Sequence, residues 1–244
     1  MENTLPPLTR STLYLVATPI GNLEDITLRA LRTLRECDVV AAEDTRRTGL
    51  LLKHFGISRP LLSYFQFNEA RRSEEIIERL RRGEKVALVT DAGSPGISDP
   101  GERVVKAAIA AGFRVESVPG PSALIVALTA SGLAADEFHF IGFLPHKSGQ
   151  RRKRLENLKN FEGTLVLYES PYRIEKLLDE LLQVFPERTV VLARELTKKF
   201  EEFLRGKPAE LLEVVRKRSL KGEFVVLVSG AEQGSPEAPK QPNP

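Results

Sequence analysis

The segment 91–101 contains the residue types best suited to holding a ligand against the backbone. It runs Asp-Ala-Gly-Ser-Pro-Gly-Ile-Ser-Asp-Pro-Gly and follows a short apolar stretch that is typical of a buried strand. Glycine allows positive φ and a close approach of the ligand, because it has no Cβ. The segment lacks the ending of a Walker A loop and the glycine spacing of a dinucleotide fingerprint, so a phosphate cradle is disfavoured. The alternative is a long turn in which Asp99 caps the next helix.

Similar loops follow three other predicted strands, at 18–23, 43–46 and 119–122. In an open α/β sheet, ligands bind beyond the carboxyl ends of the strands, which share one edge when the strands are parallel. We therefore expect all four loops to line one site. For the loop 43–46, the alternative is that Asp44 or Thr45 simply caps the helix that follows.

Positive charge is clustered at 147–154, where only Glu156 lies nearby as a counter-charge. Clustered Arg and Lys neutralise phosphates and release counterions, so the cluster predicts a contact with nucleic acid. The alternative is a solvated helix face. The cationic members are Lys147, Arg151, Arg152, Lys153 and Arg154.

Apolar strands that alternate with helices must position these loops. The predicted strands are 13–17, 38–42, 61–65, 85–90 and 114–118, and the predicted helices are 27–37, 45–55, 71–82 and 101–111. Strands joined by helices indicate a mostly parallel sheet covered on both faces. Beyond Ser122, helices are predicted at 122–131, 149–160, 172–185 and 208–218, and strands at 138–143, 164–169, 189–194, 200–205 and 224–229.

The Pro-Gly-Pro-Ser segment 119–122 interrupts the alternation and marks a domain boundary. We divide the chain into a flexible N-terminus at 1–10, an α/β domain at 11–119, a second α/β domain at 120–229 and a disordered tail at 230–244. The tail is rich in Pro, Gly and polar residues, which cannot bury enough apolar surface to order the chain.

The totals exclude several classes of protein. A chain of 244 residues fits two domains of modest size. No apolar run is long enough to cross a membrane, and no signal-peptide core begins the chain, so the cytoplasm is expected. Cys37 is the single cysteine, and His54, His139 and His146 lack ligand spacing, so no metal site is expected. The net charge of +3 is only mildly basic.

Taken together, the loops resemble those of the tetrapyrrole-methylase-like family. Within it they are similar to the branch that methylates cytidine 2′-oxygens of small-subunit ribosomal RNA. The matching segments are 13–23, 42–46, 91–101, 119–123, 169–173, 194–198, Glu201 and 221–224. They occur in the same order over about residues 11–229, which is far more specific than one motif.

The resemblance implies two α/β domains with mostly parallel or mixed sheets and S-adenosylmethionine in a cleft between them. A Gly-Asp-Pro loop of the family touches the cofactor, and its match here is Gly93-Ser94-Pro95. Because serine replaces the acid, that contact does not transfer, and Asp91 is a candidate to compensate. The cofactor residues implied are Pro19, Asp91, Gly93, Ser94, Pro95, Ile97, Ser122 and Ala123.

The implied reaction is methylation of a cytidine ribose in the decoding region of 16S ribosomal RNA by a homodimer. A ribose hydroxyl is a poor nucleophile, so a general base or a hydrogen-bond acceptor is expected beside it. Arg194 and Lys198 are candidates to hold the adjacent phosphate. The candidate bases are Glu43, Asp44, Asp91, Glu169 and Glu195.

The sequence singles out no base among these five. Glu169 has an alternative role as an ion-pair partner of Arg173, and Glu195 has the same alternative with Arg194. Two other functions also remain open. One is carbon methylation of a tetrapyrrole, of the precorrin or uroporphyrinogen type. The other is a non-catalytic RNA-binding assembly factor that kept the fold.

Overall fold

The computed structural model describes residues 7–218 and 220–231. It divides the chain into two units, of which the first ends at Ser122 and the second begins at Ala123. The sequence placed this boundary between residues 119 and 120. Residues 1–6 of the predicted flexible N-terminus and residues 232–244 of the predicted tail lie outside the described residues.

The first unit is a parallel sheet with helices between its strands. The sheet has the order β3-β2-β4-β1-β5, and every pairing in it is parallel. The carboxyl ends of all these strands therefore lie at one edge. The strands are β1 (Thr12–Val16), β2 (Val39–Ala42), β3 (Leu61–Ser63), β4 (Val86–Val89) and β5 (Arg114–Val118), and the helices are α1 (Leu28–Glu36), α2 (Thr45–His54), α3 (Glu69–Arg81) and α4 (Glu102–Ala110).

Two apolar cores cover the two faces of this sheet. Successive strand residues point to opposite faces, so Tyr14 packs with Leu34 of α1 whereas Leu13 packs with Ile76 of α3 and Val104 of α4. Each such side chain contributes about 1.5–3 kcal/mol when it is fully buried. The prediction of a parallel sheet covered on both faces is confirmed. A short 3-10 helix at Leu23–Asp25 was not predicted.

The second unit contains a mixed sheet of order β6-β7-β10-β8-β9. Only the β6–β7 pairing is parallel; β10 is antiparallel to β7 and β8, and β9 to β8. The carboxyl ends of β6, β7 and β8 consequently share an edge with the amino ends of β9 and β10. The strands are β6 (Phe138–Phe143), β7 (Thr164–Glu169), β8 (Val190–Arg194), β9 (Glu202–Gly206) and β10 (Phe224–Val228), and the helices are α5 (Ala123–Ser131), α6 (Ser148–Glu156), α7 (Ile174–Val184) and α8 (Pro208–Lys217).

One core of the second unit joins α6, α7 and α8 to a single face of the sheet, while α5 packs against β8 and β10. Helix α6 ends at Glu156 rather than at the predicted Asn160. The chain leaves the α-helix through turns closed by bonds between residues three apart. Leu158 N donates to Leu155 O at 2.9 Å, and Lys159 N donates to Glu156 O at 3.0 Å. Among the described helices, none combines the length and apolar composition needed to cross a bilayer.

Candidate active site

Backbone hydrogen bonds join two of the loops at the carboxyl edge of the first sheet. Thr18 N donates to Gly93 O at 2.9 Å, and Gly93 N donates to Thr18 O at 3.0 Å. The Thr18 hydroxyl donates to Thr90 O at 3.1 Å. Gly93 has a φ of 81°, which glycine adopts without steric cost. The loops that follow β1 and β4 are therefore in direct contact.

The loop that follows β5 packs against the same place. An added Cβ at Gly120 would lie 2.9 Å from Ala17 Cβ, so this close approach requires glycine. The position of the missing Cβ of Gly93 lies 3.8 Å from Pro121 O. Three loops that are distant in sequence thus meet, with Pro95 buried and Ile97 41% exposed at the rim.

The loop after β2 joins them through carboxylates. Asp91 Oδ1 accepts from Asp44 N at 3.1 Å, and Glu43 Oε2 accepts from Asp91 N at 3.3 Å. The guanidinium of Arg47 lies 3.2 Å from Asp91 Oδ2. Three of the five candidate bases therefore form one cluster at this edge.

The members of this cluster differ as proton acceptors. Hydrogen bonds from the Arg46 side chain lower the pKa of Asp44 to about 2. Asp44 also caps α2 by accepting from Arg46 N at 2.8 Å, which confirms its alternative role. Burial raises the pKa of Glu43 above its usual value, although the Asp91 amide partly opposes the effect. Glu43 is thus a stronger base than Asp44.

Helix α4 is not capped by Asp99. Its cap is Gly101, with a φ of 144° and no side-chain cap bond. Gly101 N instead donates to Oε1 of Glu69, a residue of α3, at 3.1 Å. Glu69 was not among the predicted site residues, and the available signal was that Gly101, directly before Glu102, has no side chain to cap the helix.

Glu169 lies at the carboxyl edge of the second sheet and is 2% exposed. Its Oε1 accepts from Ser170 N at 2.8 Å, and Arg173 Nε lies 3.3 Å from the same oxygen. Its Oε2 has no hydrogen-bond partner in the described part of the chain. Burial raises the pKa of this carboxyl, while the Ser170 amide and the Arg173 charge oppose the shift. The predicted pairing of Glu169 with Arg173 is observed.

Arg151 is a correction to the predicted RNA-binding set, because its side chain is only 4% exposed. Its guanidinium forms a two-pronged pair with Glu180 of α7, including Nη2 to Oε1 at 2.8 Å. Ser148 donates to the same carboxylate at 2.8 Å. The four other cations are exposed, and none has an ion-pair partner among the residues described. They are Lys147, Arg152, Lys153 and Arg154.

Arg194 and Lys198 are also engaged by neighbouring groups. Arg194 is 12% exposed and pairs with Glu202 at 3.0 Å, while its Nη2 donates to Lys221 O at 2.7 Å. Lys198 Nζ lies 3.0 Å from Glu195 Oε1 and 3.3 Å from a Glu223 oxygen. The predicted partner of Glu195 was Arg194, so that pairing is wrong.

The loop that follows β8 has an unusual backbone. Glu195 has a φ of 51° and Thr197 a φ of 63°, values that residues with a Cβ adopt at a cost. Burial raises the pKa of Glu195, but hydrogen bonds from Lys198 and from the Glu223 amide outweigh burial and lower it overall. Glu195 is therefore a weak base that holds this loop in place.

The family was identified by comparison with known proteins. The family model described as Tetrapyrrole (Corrin/Porphyrin) Methylases matches residues 12–212. The chain belongs to the tetrapyrrole methylase family. In the part of this chain that the structure describes, no group of three or more His, Cys, Asp or Glu side chains is placed to hold a metal ion.

The most similar relatives include two bacterial proteins named ribosomal RNA small subunit methyltransferase I. The protein of Halalkalibacterium halodurans is 50% identical over 93% of this chain and 79% of its own length. The protein of Xylella fastidiosa is 52% identical over 91% of this chain and 83% of its own length. Within the tetrapyrrole methylase family, the chain therefore groups with these proteins.

Solved structures share the fold of the family at low sequence identity. Uroporphyrin-III C-methyltransferase from Thermus thermophilus, complexed with S-adenosyl homocysteine, has a TM-score of 0.63 at 22% identity, over 89% of this chain and 97% of its own. Diphthine synthase has a TM-score of 0.71 at 17% identity, over 90% of both chains. These likenesses establish the two-sheet α/β fold.

Proposed function

We propose that this chain transfers a methyl group from S-adenosylmethionine to the ribose 2′-oxygen of a cytidine in the decoding region of 16S ribosomal RNA. The observation that supports the proposal most is the identity of about half of all aligned positions with proteins named ribosomal RNA small subunit methyltransferase I. We further propose that the enzyme works as a homodimer in the cytoplasm on RNA of the small ribosomal subunit.

The carboxyl edge of the first sheet fits S-adenosylmethionine, which carries an amino group, a carboxylate, ribose hydroxyls and an adenine. Such a ligand needs donors and acceptors of both kinds, and the loops supply backbone groups together with the carboxylate of Asp91. A Cβ placed on Gly96, which has a φ of 84°, would meet nothing within 4 Å, so there is open space beside the backbone there. When bound, the cofactor supplies a methyl group on a positively charged sulfur.

The residues that we assign to the cofactor lie in the loops that meet at this edge, and Ala123 follows directly as the first residue of α5. Beside Ala123 they are Pro19, Asp91, Gly93, Ser94, Pro95, Ile97 and Ser122. Asp91 is held by the Asp44 amide and by Arg47, so its carboxylate is fixed in position. A fixed carboxylate orients a ligand without a further loss of side-chain entropy.

Glu43 and Glu169 are the stronger candidates for the base that accepts the ribose proton. A base works best when its pKa lies near the working pH, and burial raises the pKa of both groups. Two of the other candidates have a lowered pKa because neighbouring donors stabilise the anion, Asp44 through Arg46 and Glu195 through Lys198. We assign proton transfer to one of these two glutamates, Glu43 and Glu169, of which Glu169 is buried and Glu43 half-buried.

Exposed cations of α6 and the residue before it hold the RNA phosphates. Lys147, Arg152, Lys153 and Arg154 are exposed and have no carboxylate partner within the described ranges. Lys198, 30% exposed, is a further phosphate contact at the same sheet edge. Arg194 instead fixes the segment before β10, because its guanidinium is already bonded to Glu202 and to Lys221 O.

The proposal is tested by incubating the protein with radiolabelled S-adenosylmethionine and one of three acceptors: small ribosomal subunits, protein-free 16S RNA or a porphyrinoid. We expect label in RNA and one new 2′-O-methylcytidine in the decoding region. Label in the porphyrinoid alone would contradict the proposal. Calorimetric titration with S-adenosylmethionine distinguishes an enzyme from a non-catalytic RNA-binding assembly factor, because no saturable binding is expected of an assembly factor.

A further inference from the structure

The turn that follows β3 exposes aromatic rings at the carboxyl edge of the first sheet. We name residues 65–68, Phe-Gln-Phe-Asn, the aromatic turn. Phe67 is 89% exposed and Phe65 37% exposed, with their ring centroids 6.3 Å apart in an edge-to-face arrangement. Tyr64, the one aromatic here with a polar group, is buried. Burial of apolar area would favour the opposite arrangement, with the phenylalanines buried and the tyrosine exposed.

Hydrogen bonds that Asn68 accepts and donates hold the aromatic turn in a fixed shape. Phe65 N donates to Asn68 Oδ1 at 2.8 Å, and Asn68 N donates to Phe65 O at 2.9 Å. The side-chain amide of Asn68 donates to Ser63 O at 3.3 Å. The exposed ring of Phe67 is therefore carried by an ordered loop, which lowers the entropy cost of binding against it.

Glu69 connects the aromatic turn to the loop 91–101. Its Oε1 accepts from the Tyr64 hydroxyl at 3.1 Å and from Gly101 N at 3.1 Å. Tyr64 N donates to Ala42 O at 2.8 Å, which places the turn beside the end of β2. The aromatic turn is thus part of the same edge as the proposed cofactor loops.

Arginines lie on the two helices that adjoin the aromatic turn, and two of them, Arg46 and Arg47, pair with Asp44 and Asp91. The side chains of Arg46 and Arg47, in the first turn of α2, are 89% and 70% exposed. Arg71, in the first turn of α3, is exposed and has no ion-pair partner in the part of the chain that the structure describes. Aromatic faces combined with cations are the arrangement that binds single-stranded nucleic acid, because bases stack while phosphates pair.

We propose that the aromatic turn is a stacking platform for a single-stranded base of the RNA, with Arg71 on the adjoining phosphate. The inference rests on the proposed function and adds a second RNA contact to the one at α6. We place the stacked base next to the methylated nucleotide along the RNA. Only β2 lies between β3, which carries the aromatic turn, and β4, which carries the proposed cofactor loop. That separation corresponds to about 10 Å between β3 and β4.

The test compares Phe67→Ala, Phe67→Leu and Phe67→Trp in binding a fluorescent single-stranded RNA of the decoding-region sequence. Loss of one stacked base costs about 1–3 kcal/mol, so Phe67→Ala should raise the Kd about 5- to 150-fold. Phe67→Leu should fail to restore binding because it has no π face, and Phe67→Trp should restore it. Leu50→Ala, which removes an apolar side chain of α2 that is 71% exposed, should leave Kd unchanged.

The outcomes separate this inference from the proposed function. If Phe67→Ala binds RNA as the wild type does, while the wild type methylates 16S RNA, only the stacking inference is overturned. If the wild type neither binds nor methylates RNA, both are overturned. If sedimentation shows that Phe67→Ala dissociates a wild-type dimer, the turn is an interface between copies and the inference is wrong.

Discussion

The two sheet edges that carry the candidate residues are built from different groups. At the edge of the first sheet, backbone groups of Thr18 and Gly93 bond each other and Gly120 packs against Ala17. At the edge of the second sheet, arginines and carboxylates make the contacts, as in the pairs Arg151–Glu180 and Arg194–Glu202. The first edge suits a ligand of mixed polarity, and the second suits a polyanion.

The two edges should respond differently to substitution and to salt. The backbone contacts of the first edge are sensitive to any added Cβ but little affected by salt, because they carry no net charge; the Asp91–Arg47 pair is a charged contact at the same edge. The ion pairs of the second edge depend on the presence of both partners, and a buried pair such as Arg151–Glu180 is screened by salt much less than an exposed one.

The largest effect is expected from the base, which lies on one edge or the other. Either Glu43→Gln or Glu169→Gln should lower kcat by about 10²- to 10⁴-fold, because general base catalysis contributes that much. The active form is the carboxylate. Since burial raises both pKa values, activity should be lost as the pH falls, at a pH above the usual carboxyl pKa of about 4.3.

Single-turnover rates measured from pH 4 to 8 check this prediction. S-adenosylmethionine affinity should change little in the affected variant. Glu213→Gln, on the exposed face of α8, is the matched control. Equal rates for the two glutamine variants and the control would show that neither Glu43 nor Glu169 acts as the base.

The next effect concerns the buried pair of the second unit. Arg151→Met leaves Glu180 buried without its partner, which should cost about 3–5 kcal/mol. Arg81→Met removes the same side chain from the pair Arg81–Glu78, in which both side chains are 58% exposed, and should cost about 0–1 kcal/mol. Urea denaturation of both variants measures the contrast, and similar losses would refute the assignment of Arg151 to a structural role.

A smaller effect is expected from glycines with positive φ. Gly93→Ala and Gly112→Ala both force alanine into φ near 80°, at a cost of about 1 kcal/mol each. Of these two glycines, only Gly93 lies in the proposed cofactor loops, where its backbone is hydrogen-bonded to Thr18. Calorimetry should therefore show about tenfold weaker S-adenosylmethionine binding, or 1.4 kcal/mol, for Gly93→Ala alone. Equal affinity in both variants would place the cofactor elsewhere.

The smallest effect is on the salt dependence of RNA binding. Each phosphate contact on a single strand contributes about 0.7 to the slope of log K against log salt. Arg152→Ala combined with Arg154→Ala should therefore reduce the slope by about 1.4. Lys159→Ala, which removes an exposed charge just before the amino end of β7, should not change it. An unchanged slope in the double variant would remove α6 from the RNA surface.

The sequence was sufficient for the elements and for the first edge. Regular apolar spacing located the strands, and parallel strands force their carboxyl ends together, so the meeting of the loops after β1, β2, β4 and β5 followed from local pattern. The orientation of β10 between β7 and β8 was not predictable, because it depends on which strands pair over long sequence distances.

The sequence also did not predict which charged side chains are buried. Arg151 lies among exposed cations in sequence, and its partner Glu180 is 29 residues away. Nothing in the local pattern distinguishes it from Arg152. The order of the carboxylates as bases was equally hidden, since it depends on how deeply Glu43 and Glu169 are buried rather than on their residue type.

One oxygen of Glu69 accepts from both Tyr64 and Gly101. A ligand that displaces the Tyr64 side must alter the hydrogen bond at Gly101, and the reverse holds as well. We therefore expect ligand binding at the aromatic turn and at the loop 91–101 to be coupled through Glu69, and thermodynamic linkage makes such a coupling equal in both directions.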